Sequence, residues 1–305
     1  MRKGAVRVTG QEPSLIDRAK GMDEADNIIS RLRDRARRQD TPCGDGSVVW
    51  HEWGTGKPLL LLHGGSGSWT HWIRNIDSLV AAGFRVIVPD LPGSGDSALP
   101  PGGHDADAIP RWLESGLQQL KPPPEGMPVI GFSFGSLVAA LFARDYPLRV
   151  ASLILVGPPV MQYASALAIG LRSWRDLPPG PLRDAVHRHN LNAFMLAHPE
   201  SVDELAILSH GRNVERDRLT KRRLSRTSLM RETLSALAQP IDVVLGELDV
   251  LYRGRLGEFE SVLQTIPGIR SFTLLDQTGH WAPYESAERF NRLVIDRLSQ
   301  RTSPC

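Results

Sequence analysis

The chain has 305 residues, 41% of them hydrophobic, and 36 Lys and Arg against 34 Asp and Glu give a formal net charge of +2. That length holds one large α/β domain with an insertion or two modest domains, and the near-balanced charge gives no reason to expect a nucleic-acid or membrane partner. No apolar run approaches the roughly 20 residues that cross a bilayer, and the N-terminus lacks the apolar centre of a signal peptide, so the expected location is the cytoplasm.

Residues 1 to about 40 are charged, with Pro13 as a helix start and Leu15, Ile16, Ala19, Met22, Ala25, Ile28, Ile29 and Leu32 at near-helical spacing. They read as an N-terminal helical extension over residues 1–44: a brace for the cap, an oligomer contact, or a partly disordered segment. From Ser47 the period becomes that of strands, first Val48 to Trp53 and then the apolar run Leu59 to Leu62, which reads as a central strand. A Gly/Ser loop at Gly64 to Ser68, a helix around Trp72 to Ala82, a strand at Arg85 to Val88, and a helix from about Asp105 to Leu120 follow. The chain then passes Pro122 to Pro124 into the strand Pro128 to Ile130, a helix, and the strand Ser152 to Val156.

This alternation predicts an α/β fold with a mostly parallel central sheet and helices on both faces. It stops between Pro158 and Gln239, where only helical patterns and a proline-rich break at Pro178 to Pro181 occur. Residues 158–239 therefore read as an inserted helical cap, and residues 45–157 and 240–300 as the core, with strands at Ile241 to Leu245 and Ser271 to Leu275 and a last helix from Ala287 to Leu298. The two cysteines, Cys43 before the first strand and Cys305, lack metal-ligand spacing and read as free thiols.

Gly131-Phe132-Ser133-Phe134-Gly135 lies between a strand and an apolar helix. A G-x-S-x-G pentapeptide there is a sharp turn that lifts the serine hydroxyl clear of the sheet, its glycines leaving room for neighbouring backbone. The pentapeptide alone is a weak sign; its context is stronger. A serine hydroxyl needs a base to take its proton and an acid to orient that base. In this topology they follow in the order Asp or Glu, then His. Asp249 stands just beyond the strand Ile241 to Leu245, and His280 just beyond the strand Ser271 to Leu275. Glu247 is an alternative to Asp249. The developing oxyanion needs fixed N–H donors, expected from the backbone of Phe134 and from Gly65 in His63-Gly64-Gly65-Ser66-Gly67.

Together, His63-Gly64-Gly65, the Ser133 pentapeptide, Gly246-Glu247-Leu248-Asp249 and Gly279-His280-Trp281 resemble the α/β-hydrolase superfamily over residues 47–300. Within it, Arg74-Asn75-Ile76 with Ala82 to Ile87 and Asp90 to Gly93, and Gly279 to Ala282 with Glu285 and Phe290 to Ile295, look like the meta-cleavage product hydrolases. Those enzymes cleave a carbon–carbon bond in vinylogous diketo acids from aromatic degradation; related carboxylesterases share the superfamily. Candidate substrate contacts are Ser66 beside Gly65, His71 at the position where that family has an active-site asparagine, the tryptophans Trp72 and Trp281, and Arg212, a candidate for the family's cap arginine whose spacing from Asp203-Glu204-Leu205 differs from the one the resemblance implies. Two departures accompany it: His71 stands where that family has an asparagine, and Ser136 follows Gly135 where the family shows paired glycines.

The leading expectation is a cofactor-free serine hydrolase acting on a small acyl compound such as a carboxylic ester. The carbon–carbon hydrolase is the alternative, and a ligand receptor or interaction module on the same fold is the contrasting class. The Gly64 to Gly67 loop has no Walker lysine, and His187 and His189 lack an H-E-x-x-H pattern, so neither nucleotide nor metal is expected. The basic run from Arg212 to Arg231 reads mainly as a solvated helix face, and Trp72, Trp174 and Trp281 as candidates for lining an apolar pocket.

Overall fold

The computed structural model describes residues 15–121, 125–159, 169–219 and 221–300. Pro13, the prolines at 122–124 and Cys305 lie outside them. Eight strands form one sheet: β1 (Arg37–Cys43), β2 (Gly46–Trp53), β3 (Lys57–Leu62), β4 (Phe84–Pro89), β5 (Met127–Phe132), β6 (Val150–Val156), β7 (Ile241–Gly246) and β8 (Ile269–Leu275). Their order is β1-β2-β4-β3-β5-β6-β7-β8, antiparallel for β1 with β2 and β2 with β4, and parallel from β4 to β8.

The leucine run of β3 lies between β4 and β5, where both faces of a strand are covered and near-continuous hydrophobicity is needed. Leu60 and Leu62 face one core and Leu59 and Leu61 the other, as the two-residue period of a strand requires. One face packs on α3 (Pro110–Gln119), α4 (Phe134–Asp145) and α8 (Leu256–Gln264). The other packs on α1 (Leu15–Asp34), α2 (Ile76–Ala81) and α10 (Ala287–Ser299). Between β6 and β7 the described chain is helical: α5 (Pro181–Asn190) running into a π-helical turn over Leu191–Met195, then α6 (Glu204–Glu215) and α7 (Leu229–Ser235).

Two features depart from expectation. Residues 37–43 are not helical but form the edge strand β1, so that Cys43 is a buried residue of a strand rather than one preceding the sheet. Helix α7 does not stay with the cap: Met230 and Leu234 are buried in the same core as Leu137 and Leu141 of α4. Among the described residues no helix is long and apolar enough to cross a membrane.

Candidate active site

The site lies at the carboxyl ends of β3, β5, β6, β7 and β8, the edge where open parallel sheets place their ligands. Ser133 follows β5 with φ 51° and ψ −118°, a positive φ that side chains rarely adopt. Backbone crowding explains both flanking glycines. A Cβ on Gly131 would lie 2.4 Å from the Gly135 carbonyl oxygen, and one on Gly135 would lie 2.3 Å from that of Leu62. Ser136 replaces a glycine without conflict because its hydroxyl donates to the carbonyls of Gly131 (2.7 Å) and Val156 (3.2 Å).

Three distant segments converge on the serine. His280 Nε2 is 2.9 Å from Ser133 Oγ, and His280 Nδ1 is 2.7 Å from Asp249 Oδ2. An ionised carboxylate only accepts, so Nδ1–H donates to Asp249 and Nε2 is left to accept the serine proton. Asp249 is held by the amide of Leu251 on its other oxygen at 2.9 Å. Both Asp249 and His280 are about 1% exposed, whereas Ser133 is partly open. Glu247 is exposed and accepts from the amide of Gln277 (3.1 Å). Gly157 closes the cluster from β6: a Cβ there would sit 3.1 Å from the His280 ring.

Beside the serine, the His63 to Gly67 loop is pinned from below. His63 Nδ1–H donates to the Gly64 carbonyl (2.8 Å), and its Nε2 accepts from the Leu91 amide (2.8 Å). His71 Nδ1 accepts from the Gly64 amide at 3.2 Å, and burial holds the ring well below its ordinary pKa, so it stays neutral. The Gly64 amide is thereby occupied, and Phe134 opens α4, where the first N–H groups of a helix have no partner within it.

The sequence-predicted contact residues separate. Trp281 is buried, donating from Nε1 to the His71 carbonyl (2.9 Å) and stacking on Tyr284, and His71 packs edge-on against Phe132. Both support the site from behind. Trp72 is fully buried between Phe132 and Phe290, so it fills the core under the site rather than lining a pocket. Arg212 points the other way: on its turn of α6 it meets Asp26 of α1 at 2.7 Å. Of the remaining basic run, Arg216 and Arg218 bind the loop after β4, at Asp96 and at the carbonyls of Gly95 and Ser97.

Several residues at the site escaped sequence reading. Phe194 of the π-helical turn stacks on the His280 ring, with centroids 5.0 Å apart. Glu285 bolts that turn to the histidine loop, accepting from the amides of Ala197 (2.9 Å), His198 (3.0 Å) and Gly279 (2.5 Å). Arg222 reaches over the Phe134 ring, 5.4 Å from its centroid, and its Nε is 3.1 Å from where a Gly65 Cβ would stand. None of these follows from local spacing; the only prior signal was membership of Arg222 in the basic run and of Glu285 in the segment after His280.

Among the described residues no group of three His, Cys, Asp or Glu could hold a metal ion. What the cluster of Ser133, His280 and Asp249 can do is pass a proton from a hydroxyl to an imidazole held by a carboxylate.

A profile of the α/β hydrolase fold matches residues 57–242, and the chain belongs to that family of hydrolases. Two enzymes are particularly similar. The 2-hydroxy-6-oxononadienedioate/2-hydroxy-6-oxononatrienedioate hydrolase of Paraburkholderia phymatum is 30% identical over 83% of this chain and 91% of its own. The 2-hydroxy-6-oxo-6-phenylhexa-2,4-dienoate hydrolase of Comamonas testosteroni is 28% identical over 87% and 96%. Among solved structures, a meta-cleavage product hydrolase from Pseudomonas fluorescens superposes with a TM-score of 0.71 at 22% identity, covering 87% of this chain and 98% of its own. An esterase from Thermogutta terrifontis does so with 0.67 at 25% identity, covering 88% and 100%. The two sequence relatives bear names of the kind the carbon–carbon hydrolase expectation refers to, and not those of simple esterases. The two stretches that carried that resemblance also meet in space: Asn75 donates to Asn291 Oδ1 (2.8 Å) and to the Pro283 carbonyl (2.9 Å).

Proposed function

We propose that this hydrolase cleaves the carbon–carbon bond beside a ketone in a small vinylogous diketo acid, with Ser133 as nucleophile, His280 as general base and then acid, and Asp249 orienting His280. The observation that carries the catalytic part is the continuous hydrogen-bonded path from Ser133 Oγ through His280 to Asp249. The kinship with dienoate hydrolases supports the choice of bond. Ser133 Oγ adds to the ketone carbon as its proton passes to His280 Nε2, and the oxyanion is held by the amides of Gly65 and Phe134. Collapse breaks the carbon–carbon bond. The departing electron pair is delocalised into the conjugated keto acid and takes the proton from His280, and water then releases the acyl group from Ser133 by the reverse use of His280. Arg222, rather than Arg212, is the cap cation we assign to the substrate carboxylate, because it lies against the oxyanion loop. The chemistry needs no cofactor, and the partner is the small-molecule substrate.

Ester hydrolysis is the second reading, favoured by the likeness to the Thermogutta terrifontis esterase, since the same relay serves an ester carbonyl. One experiment separates them: turnover of a 2-hydroxy-6-oxo-dienoate, followed by loss of its visible absorbance, beside p-nitrophenyl esters of increasing chain length. The proposal expects dienoate turnover that Ser133→Ala abolishes. Ester turnover alone would sink it in favour of the esterase, and no labelling of Ser133 by a fluorophosphonate would sink both.

A further inference from the structure

The oxyanion loop is not a feature of the core alone. Ser66, next to Gly65, sits at φ 50°, in the left-handed region that a serine enters at a cost. Its hydroxyl does not turn back onto its own loop. It donates across to the cap, to Asp217 Oδ2 at 2.6 Å. The other oxygen of that carboxylate accepts from Arg222 Nη2 at 2.6 Å and from the Leu219 amide at 3.2 Å. Arg222 in turn covers both residues expected to donate to the oxyanion: its guanidinium lies over the Phe134 ring, and its Nε is packed on Gly65, buried and without an acceptor among the described residues. The Asp217 side chain is 13% exposed and that of Arg222 25%, so the pair is largely removed from water.

A neighbouring contact holds the same part of the cap to the same loop. Asn213 of α6 accepts from Ser68 Oγ at 2.7 Å and donates to Thr70 Oγ1 at 2.9 Å. The chain leaves α6 at Glu215, is tied by Arg216 and Arg218 to the loop after β4, and so delivers Asp217 to Ser66. One carboxylate thus stands between a backbone-strained residue of the loop and the cation above it.

We infer that Asp217 is a positioning residue that completes the oxyanion hole from the cap: through Ser66 it holds the Gly65 amide in its donating direction, and through Arg222 it keeps a guanidinium over the Phe134 side of the hole. The inference rests on the reading of Ser133 as a nucleophile. It makes the hole competent only while the cap is seated, so that closing over a substrate and readying the site for charge development are one event. Misplacing one amide of such a hole weakens binding of the transition state and leaves binding of the ground state almost intact.

The test uses the full chain with p-nitrophenyl acetate, a substrate too small to need the cap for binding. Asp217→Ala and Ser66→Ala should each lower kcat about 10-fold or more with KM within about 2-fold, and each should weaken a trifluoromethyl ketone inhibitor in proportion to kcat. Because the two act along one path, the double variant should lose no more than Asp217→Ala alone. Asp217→Asn, which keeps an acceptor for Ser66 but loses the charge that holds Arg222, should fall between. If Asp217→Ala does not fold, Ser66→Ala decides. Unchanged kcat, a loss confined to KM, or additive losses in the double variant would overturn the inference. Failure of a fluorophosphonate to label the unmodified protein would instead overturn the serine-hydrolase reading beneath it.

Discussion

At the scale of single residues, the turn around Ser133 is governed by where a Cβ can go. Gly135→Ala would push a methyl group to 2.3 Å from the Leu62 carbonyl and 2.5 Å from that of His63, both backbone atoms. We expect a loss of stability on the order of 3 kcal/mol, with loss of fluorophosphonate labelling, measured by urea denaturation and gel fluorescence. Asp249→Asn should fold normally, because the site of the carboxylate is retained, yet lower kcat by about 10⁴ through the wrong imidazole tautomer. A decrease under about 10-fold would remove Asp249 from the relay. These residues were legible in the sequence because each stands at the end of a strand with its own run of apolar neighbours, so strand order alone put them on one edge. Arg212 and Arg222 were not. Which arginine of a basic run meets the site depends on helix phase and on where the loop after α6 is anchored, and neither is written in spacing.

Helix α1 joins two parts of the molecule that are far apart in sequence. Ala25, Ile29 and Leu32 are buried, and Ile29 and Leu32 share a core with Trp53 and Phe84 of the sheet and with Val202, Ala206 and Ile207 of the helical segment between β6 and β7. Gly21 allows Glu204 of α6 to approach, with its Cγ 3.1 Å from where a Cβ would be. Trp53 Nε1 donates to the Leu32 carbonyl at 2.8 Å. Helix α1 therefore packs at once on α6 and on the sheet. Ile29→Ala should cost roughly 2–4 kcal/mol, whereas Arg212→Ala, breaking a half-exposed pair with Asp26, should cost under about 1 kcal/mol. Chemical denaturation of the two variants checks the contrast, and equal losses would mean that the ion pair and not the apolar face holds the helix. The period of the apolar residues made α1 visible. Strand β1, polar from Arg37 through Thr41 and buried only at Thr41 and Cys43, had no such period, and its existence rests on pairing with β2.

For the whole molecule, buried neutral histidines set the acid limit. His51, packed between Trp53 and Trp69, is lowered by burial from 6.5 to about 4, and burial lowers His63 and His71 as well. The unfolded chain takes up these protons near pH 6.5 while the folded chain refuses them, so between those values the unfolded state binds more protons. Stability is then full above pH 6.5 and falls as pH drops toward 4, His51 alone contributing on the order of 3 kcal/mol to the loss. Urea midpoints should decline steeply across that window, and His51→Gln should flatten the decline. A profile unchanged by that substitution would mean that His51 is charged in the fold.

By itself the sequence determined the alternation of strands and helices, the helical insertion after β6, and the three residues at strand ends that join in one hydrogen-bonded cluster, since each is specified by local period, glycine sterics and chain order. Only the tertiary structure decided what lies above them. Phe194 on His280, Glu285 across the histidine loop, and Asp217 between Ser66 and Arg222 join segments through single side-chain contacts. Such contacts leave no periodicity in the chain, because they are fixed by how the segment between β6 and β7 packs on the rest of the fold and not by what precedes or follows them.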